Sequence, residues 1–139
     1  MQELQTMLTE EKINQISSLG LAHLGDAVYE LHARTWLVVH GGLTSHELHR
    51  ATVRLVCAPA QAAAAQRMLP LLTEKELAVY KRARKTKVNS VPQRACLAEY
   101  HAATGVEALF GWLYLHGETE RLSELFALAV MPESEGQEG

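Results

Sequence analysis

The chain has 139 residues, 47% of them hydrophobic and 21% charged, with a formal net charge of −3. That is the length and balance of one globular domain, and it excludes a wholly disordered chain and an overall polycation. Two cysteines far apart in sequence, Cys57 and Cys96, exclude a disulfide framework and a zinc pattern, and fit free thiols in a cytoplasmic protein. Residues 1–11 are polar and carry three acids, so they do not read as a signal peptide, and no apolar run approaches the roughly 20 residues of a membrane span.

In chain order the pattern is helical throughout. Proline is scarce, β-branched residues do not alternate, and Ala, Leu, Glu and Arg dominate. A short helix is predicted near residues 9–16, then a long one from Leu19 to Val39, stopped by Gly41 and Gly42. Thr44 or Ser45 caps the next, which runs to Cys57, and Pro59 opens another to Met68. Thr73 with Glu76 three residues on is a capping-box pattern for a helix to Arg84. Residues 85–89 read as a loop. Ser90 and Pro92 open a helix to Ala102, a separate one spans Thr104 to His116, and the last runs from Glu118 to Val130. The whole is an all-α single domain over residues 1–131, with 132–139 as a frayed, disordered tail.

Two of these helices carry an acid on an apolar face. In the long helix, at 100° per residue, Leu21, Leu24, Val28, Leu31 and Thr35 form one stripe. Leu19, Ala22, Tyr29, Ala33 and Leu37 form a second on nearly the opposite side, and Asp26 lies in it. A helix apolar on both sides is expected at the centre of a domain, where an unpaired carboxylate is very costly. Glu107 repeats the situation on a stripe with Tyr100, Ala103, Thr104, Phe110, Gly111 and Tyr114. Gly25, Gly105 and Gly111 adjoin the two acids and suggest close helix–helix approach. Spacing alone leaves each acid open between a structural ion pair or helix cap and a metal-binding or catalytic role.

Charge is unevenly spread. Residues 81–94 hold Lys81, Arg82, Arg84, Lys85, Lys87 and Arg94 and no acid, so the remainder is strongly acidic. Such a patch fits a polyanionic partner, and equally a solvated helix end, where cations are favoured. The run His46-Glu47-Leu48-His49 has the wrong spacing for a zinc helix. His49 reads as packed or hydrogen-bonded at a subunit contact. His23 reads as structural or as a contact to a polyanionic partner rather than a general base.

The stretch from Leu21 to Glu30, with Leu24-Gly25-Asp26 followed by an apolar residue, resembles the signature helix of the ribonuclease III catalytic domain. The stretch from Thr104 to Leu115 is similar to the second acidic helix of that domain, whose core is Phe-Glu-Ala-Leu. Further features resemble the Mini-ribonuclease III branch, which lacks a double-stranded-RNA-binding domain. They are Leu48-His49 followed by Val56-Cys57-Ala58 and Gln61, the run Tyr80-Lys81-Arg82-Ala83-Arg84, Val91-Pro92, and Glu120-Arg121-Leu122-Ser123.

This resemblance implies the ribonuclease III catalytic-domain fold, a homodimer, Mg²⁺ dependence and cleavage of double-stranded RNA, with precursor 23S ribosomal RNA as substrate. It makes Asp26 and Glu107 the catalytic metal ligands. It makes Lys81, Arg82, Arg84, Lys85, Lys87 and Arg94 the RNA-binding set. Full-length members carry further acids where this chain has Leu19, Ala22 and Thr104, so the metal site is pared down. Trp36 or Leu37 of the long helix are candidates for the subunit contact. Two other functions remain at this stage: a non-catalytic RNA-binding or ribosome-assembly protein on the same fold, and a plain helical interaction module.

Overall fold

A computed structural model describes residues 8–86 and 96–131. Among the described residues seven α-helices follow one another and there is no strand. They are α1 (Glu10–Asn14), α2 (Ser18–His40), α3 (Ser45–Val56), α4 (Ala58–Met68), α5 (Glu74–Arg84), α6 (Leu97–Leu115) and α7 (Thr119–Ala129), with a 3₁₀ turn at Leu69–Leu71 after α4. The all-α expectation is borne out. Among the described residues no helix is long and apolar enough to cross a membrane.

Local chemistry sets the boundaries. The Ser17 hydroxyl accepts from the Gly20 amide at 3.0 Å and starts α2, and Gly41, at φ +70°, ends it. Reciprocal capping boxes open α3 (Thr44 with Glu47) and α5 (Thr73 with Glu76). Pro59 sits in the first turn of α4, where its missing N–H leaves no intrahelical bond unmade.

One boundary differs from expectation. The two helices expected to meet between Ala102 and Thr104 are a single helix, α6. Thr104 does not cap a new helix: its hydroxyl donates to the Tyr100 carbonyl oxygen at 3.0 Å, one turn back within the same helix. Gly105 does not break α6 either, because the space beside it is filled. A Cβ there would stand 2.6 Å from the Tyr80 ring. The expected helix start at Ser90 and Pro92, most of the basic loop and the tail at 132–139 lie outside the described residues.

Helix α6 is the axis of the domain. It packs along α2 on one side, and α4, α5 and α7 enclose it on others. The core is built from Tyr29, Met68, Leu109, Phe110, Leu113, Leu122, Leu125 and Phe126. The Tyr29 ring lies 4.9 Å from Phe110 and 5.3 Å from Phe126, at tilted and edge-on angles that aromatic quadrupoles favour. Arg121 of α7 grips Glu76 of α5 with two bonds, Nε to Oε2 at 2.9 Å and Nη2 to Oε1 at 2.8 Å, and also donates to the Leu71 carbonyl at 2.8 Å.

Helix α2 is buried on both sides only in its N-terminal half, where Leu21 and Val28 of the opposite stripe are also covered. The stripe of Ala22, Tyr29, Ala33 and Leu37 is buried, but Leu31 is 63% exposed and Val39 75%. Helix α6 is the main packing partner of α2, with α3, α5 and α7 touching it less extensively, and the opposite stripe emerges towards the C-terminal end of α2. Leu37 is therefore held inside its own chain, at 6% exposure.

Candidate active site

The crossing of α2 and α6 brings Asp26 and Glu107 together. Gly25 and Gly111 face each other across it. A Cβ on Gly25 would collide with the Glu107 carbonyl oxygen, and one on Gly111 with the Leu21 carbonyl oxygen. The two backbones therefore touch where only glycine permits it, and the residue after Gly25 lands beside Glu107.

Their surroundings differ. Glu107 is half-buried, whereas Asp26 is exposed, contrary to the buried position its stripe implied. The reason is the crossing itself: Gly25 occupies the contact point, Ala22 and Tyr29 are covered, and Asp26 comes out at the rim above them. The carboxyl groups lie within hydrogen-bonding reach. Burial first, then the charge of Asp26 and a hydrogen bond to it, push Glu107 up to about 8, against a smaller opposing effect of the Gln61 amide. At neutral pH Glu107 thus keeps its proton and donates to Asp26.

Two further side chains reach this pair, and the sequence reading gave neither a part in the site. Gln61 of α4 is 1% exposed, and its amide faces Glu107. Tyr29 of α2 is fully buried, and its hydroxyl is raised well above the usual phenol range by burial, then by Cys57 and Glu107, against Arg67. Neither Gln61 Nε2 nor Tyr29 Oη meets a partner at full hydrogen-bonding distance. Gln61 did leave a trace in sequence: it is a single amide on a helix face shared with the buried Ala64, Ala65 and Met68. Tyr29 left none, since a tyrosine in an apolar stripe reads as core.

The cationic residues Lys81, Arg82 and Arg84 project into solvent from the last turn of α5, and Lys85 caps it, also exposed. Lys87 and Arg94 lie outside the described residues. Tyr80 anchors this helix end. Its ring fills the space beside Gly105, two residues from Glu107 on α6, and its hydroxyl lies against the Arg84 guanidinium. His23, His46 and His49 are exposed. Among the described residues no cluster of three or more His, Cys, Asp or Glu could hold a metal ion, so the acidic site consists of two carboxylates.

Residues 19–118 match the Ribonuclease III domain family model. The chain is 43% identical over 124 residues to a Mini-ribonuclease 3 of Thermoanaerobacter sp., covering 89% of this chain and 87% of that one. It is 47% identical over 112 residues to the Mini-ribonuclease 3 of Symbiobacterium thermophilum, covering 81% and 86%. The crystal structure of a Fusobacterium nucleatum protein superposes with a TM-score of 0.77 at 29% identity, covering 85% of this chain and 94% of that one. The matched span contains the glycine crossing, both carboxylates and the cationic end of α5. The chain therefore belongs to the ribonuclease III family, in its Mini-ribonuclease 3 branch, and is an endoribonuclease.

Proposed function

We propose that the chain hydrolyses double-stranded RNA as a Mg²⁺-dependent homodimer, with Asp26 and Glu107 as the catalytic metal ligands and precursor 23S ribosomal RNA as the cellular substrate. The observation that carries this reading is the carboxyl pair itself. Two acids forced together by glycine contacts, one of them protonated at neutral pH, form a site that a divalent cation relieves. The substrate assignment follows the resemblance to the Mini-ribonuclease III branch.

A bound Mg²⁺ supplies an activated water and charge relief on the leaving oxygen. Asp26 and Glu107 would hold it from two helices whose relative position is fixed by Gly25 and Gly111. As a ligand Glu107 would have to be in its carboxylate form, so binding of the ion would be coupled to release of the proton this residue holds at neutral pH. With Leu19, Ala22 and Thr104 at the places where other members keep acids, Asp26 and Glu107 would be the chain's acidic ligands to the ion. Lys81, Arg82, Arg84 and Lys85, with Lys87 and Arg94, hold the duplex backbone, which is read by shape through phosphates and 2′-hydroxyls.

The homodimer places one site on each strand of a duplex. The surface that suits it is the apolar groove between the C-terminal half of α2 and α7, lined by Leu31, Trp36, Val39, Phe126 and Val130.

The test is cleavage of a duplex RNA by purified protein in Mg²⁺, with EDTA as control. Asp26→Asn should lower kcat at least about a hundredfold while leaving RNA binding in place. Cleavage by this variant at the wild-type rate would overturn the assignment.

A further inference from the structure

Helix α4 carries an amide where its neighbours carry methyl groups. On the face that meets the core, Ala64 and Ala65 are 1% exposed, Met68 is 1% exposed, and so is Gln61. A leucine or methionine at this place would be buried without leaving a polar group unmet. Gln61 instead holds its Nε2 with no partner at full hydrogen-bonding distance. Buried donors in this condition are rare and costly. Among the described residues two of the three such atoms, Gln61 Nε2 and Tyr29 Oη, belong to side chains that act on one carboxyl, that of Glu107.

The chemistry of a ligating carboxylate accounts for the arrangement. Such a group gives one oxygen to the cation and leaves the other as an acceptor in need of a donor. An amide N–H from a neighbouring helix meets that need without adding charge. It also fixes the rotamer of a long side chain that would otherwise be free to swing. We propose that Gln61 is a positioning residue for Glu107, its carboxamide donating to one carboxylate oxygen and so presenting the other to a divalent cation shared with Asp26. The buried Tyr29 hydroxyl lies near enough to the same carboxyl for the two to interact electrostatically. This deepens the reading of the Asp26–Glu107 pair as a cation site and rests on it.

Mn²⁺ binding to the full chain, followed by the loss of its free electron-paramagnetic-resonance signal, tests the proposal without RNA and without turnover. The set is wild type, Gln61→Leu, Gln61→Met and Asp26→Asn, each with a thermal unfolding curve in EDTA. The apolar variants remove a donor without removing volume, so both should unfold at or above the wild-type temperature. The expected result is Mn²⁺ affinity at least about tenfold weaker in both, the scale of losing an outer partner of a metal ligand. In cleavage assays the half-saturating Mg²⁺ concentration should rise by a similar factor with KM for the RNA unchanged. Wild-type Mn²⁺ affinity in both Gln61 variants overturns the proposal while leaving the cation site intact. A loss of affinity that only tracks a loss of thermal stability also overturns it. Mn²⁺ binding by the wild type that Asp26→Asn leaves unaltered overturns the cation site itself, and the proposal with it.

Discussion

A carboxyl group held at about 8 has a consequence for stability that can be measured without substrate. The ordinary value is 4.5, so between the two values the folded state keeps a proton that the unfolded chain has lost. Stability from this group is fully present below the unfolded value and is lost as pH rises through the folded one. Metal-free protein in EDTA should therefore show a melting temperature that falls from about pH 5 to about pH 8, then levels as far as Glu107 is concerned. Glu107→Gln should flatten that component, and Mg²⁺ added at about pH 8.5 should raise the wild-type melting temperature but not that of the variant. A wild-type slope unchanged in Glu107→Gln would show that the proton is not held there. At this scale Glu107 was legible in the sequence as an acid on an apolar stripe. The part of Gln61 was not, because a glutamine on an alanine-rich helix that also carries Gln66 is ordinary until the opposing carboxyl is seen.

Between elements, two contacts fix the helices around the site, and they differ in kind. The α2–α6 crossing depends on absent side chains. Alanine is intrinsically better than glycine inside a helix by about 1 kcal/mol. Even so, Gly25→Ala should destabilise the protein by about 3 kcal/mol or more, because its Cβ would meet the Glu107 carbonyl, which is backbone and cannot swing away. Thermal unfolding of Gly25→Ala and Gly111→Ala checks this, and a rise in melting temperature for either would contradict the close approach. The link between α5 and α7 depends instead on charge. Glu76 is 4% exposed, and its carboxyl is held below the usual range chiefly by its hydrogen bonds to Arg121, with the Thr73 cap adding to this. Arg121→Ala leaves that buried acid without its cation and should cost about 3 kcal/mol, read by denaturant unfolding. The capping boxes at Thr44 and Thr73 were legible because their pattern is local. The continuity of α6 was not, since Thr104 and Gly105 read locally as a break, and only the Tyr80 ring seated beside Gly105 makes that stretch a well-packed interior.

For the whole molecule, the exposed stripe of α2 is the feature that a lone chain does not explain. Leu31 and Val39 stand open on the rim of a groove whose floor is Trp36 and Phe126. Within the proposed homodimer this surface is covered by its counterpart. Val39→Asp should leave the fold intact, since the side chain is 75% exposed, and should shift the protein towards monomer in sedimentation. Cleavage by that variant should nick one strand of a duplex more than it cuts both. A dimer of unchanged stability would place the subunit contact elsewhere. Leu37, also a candidate for this contact from its place in the long helix, is committed to the core of its own chain.

The sequence by itself determined the helical class, nearly every helix boundary, the acids Asp26 and Glu107 as the pair to watch, and the cationic run after Tyr80. Each of these is carried by residues close together along the chain, in periodicity, caps and charge, or by motifs that resemble a known domain. Only the tertiary structure decided that the two acids touch, that Asp26 opens to solvent while Glu107 is half-covered, and that Gln61 and Tyr29 stand behind them. Those facts depend on how α2, α4 and α6 pass one another. That is set by the backbone contact at Gly25 and Gly111, a meeting of residues far apart in sequence that no local pattern encodes.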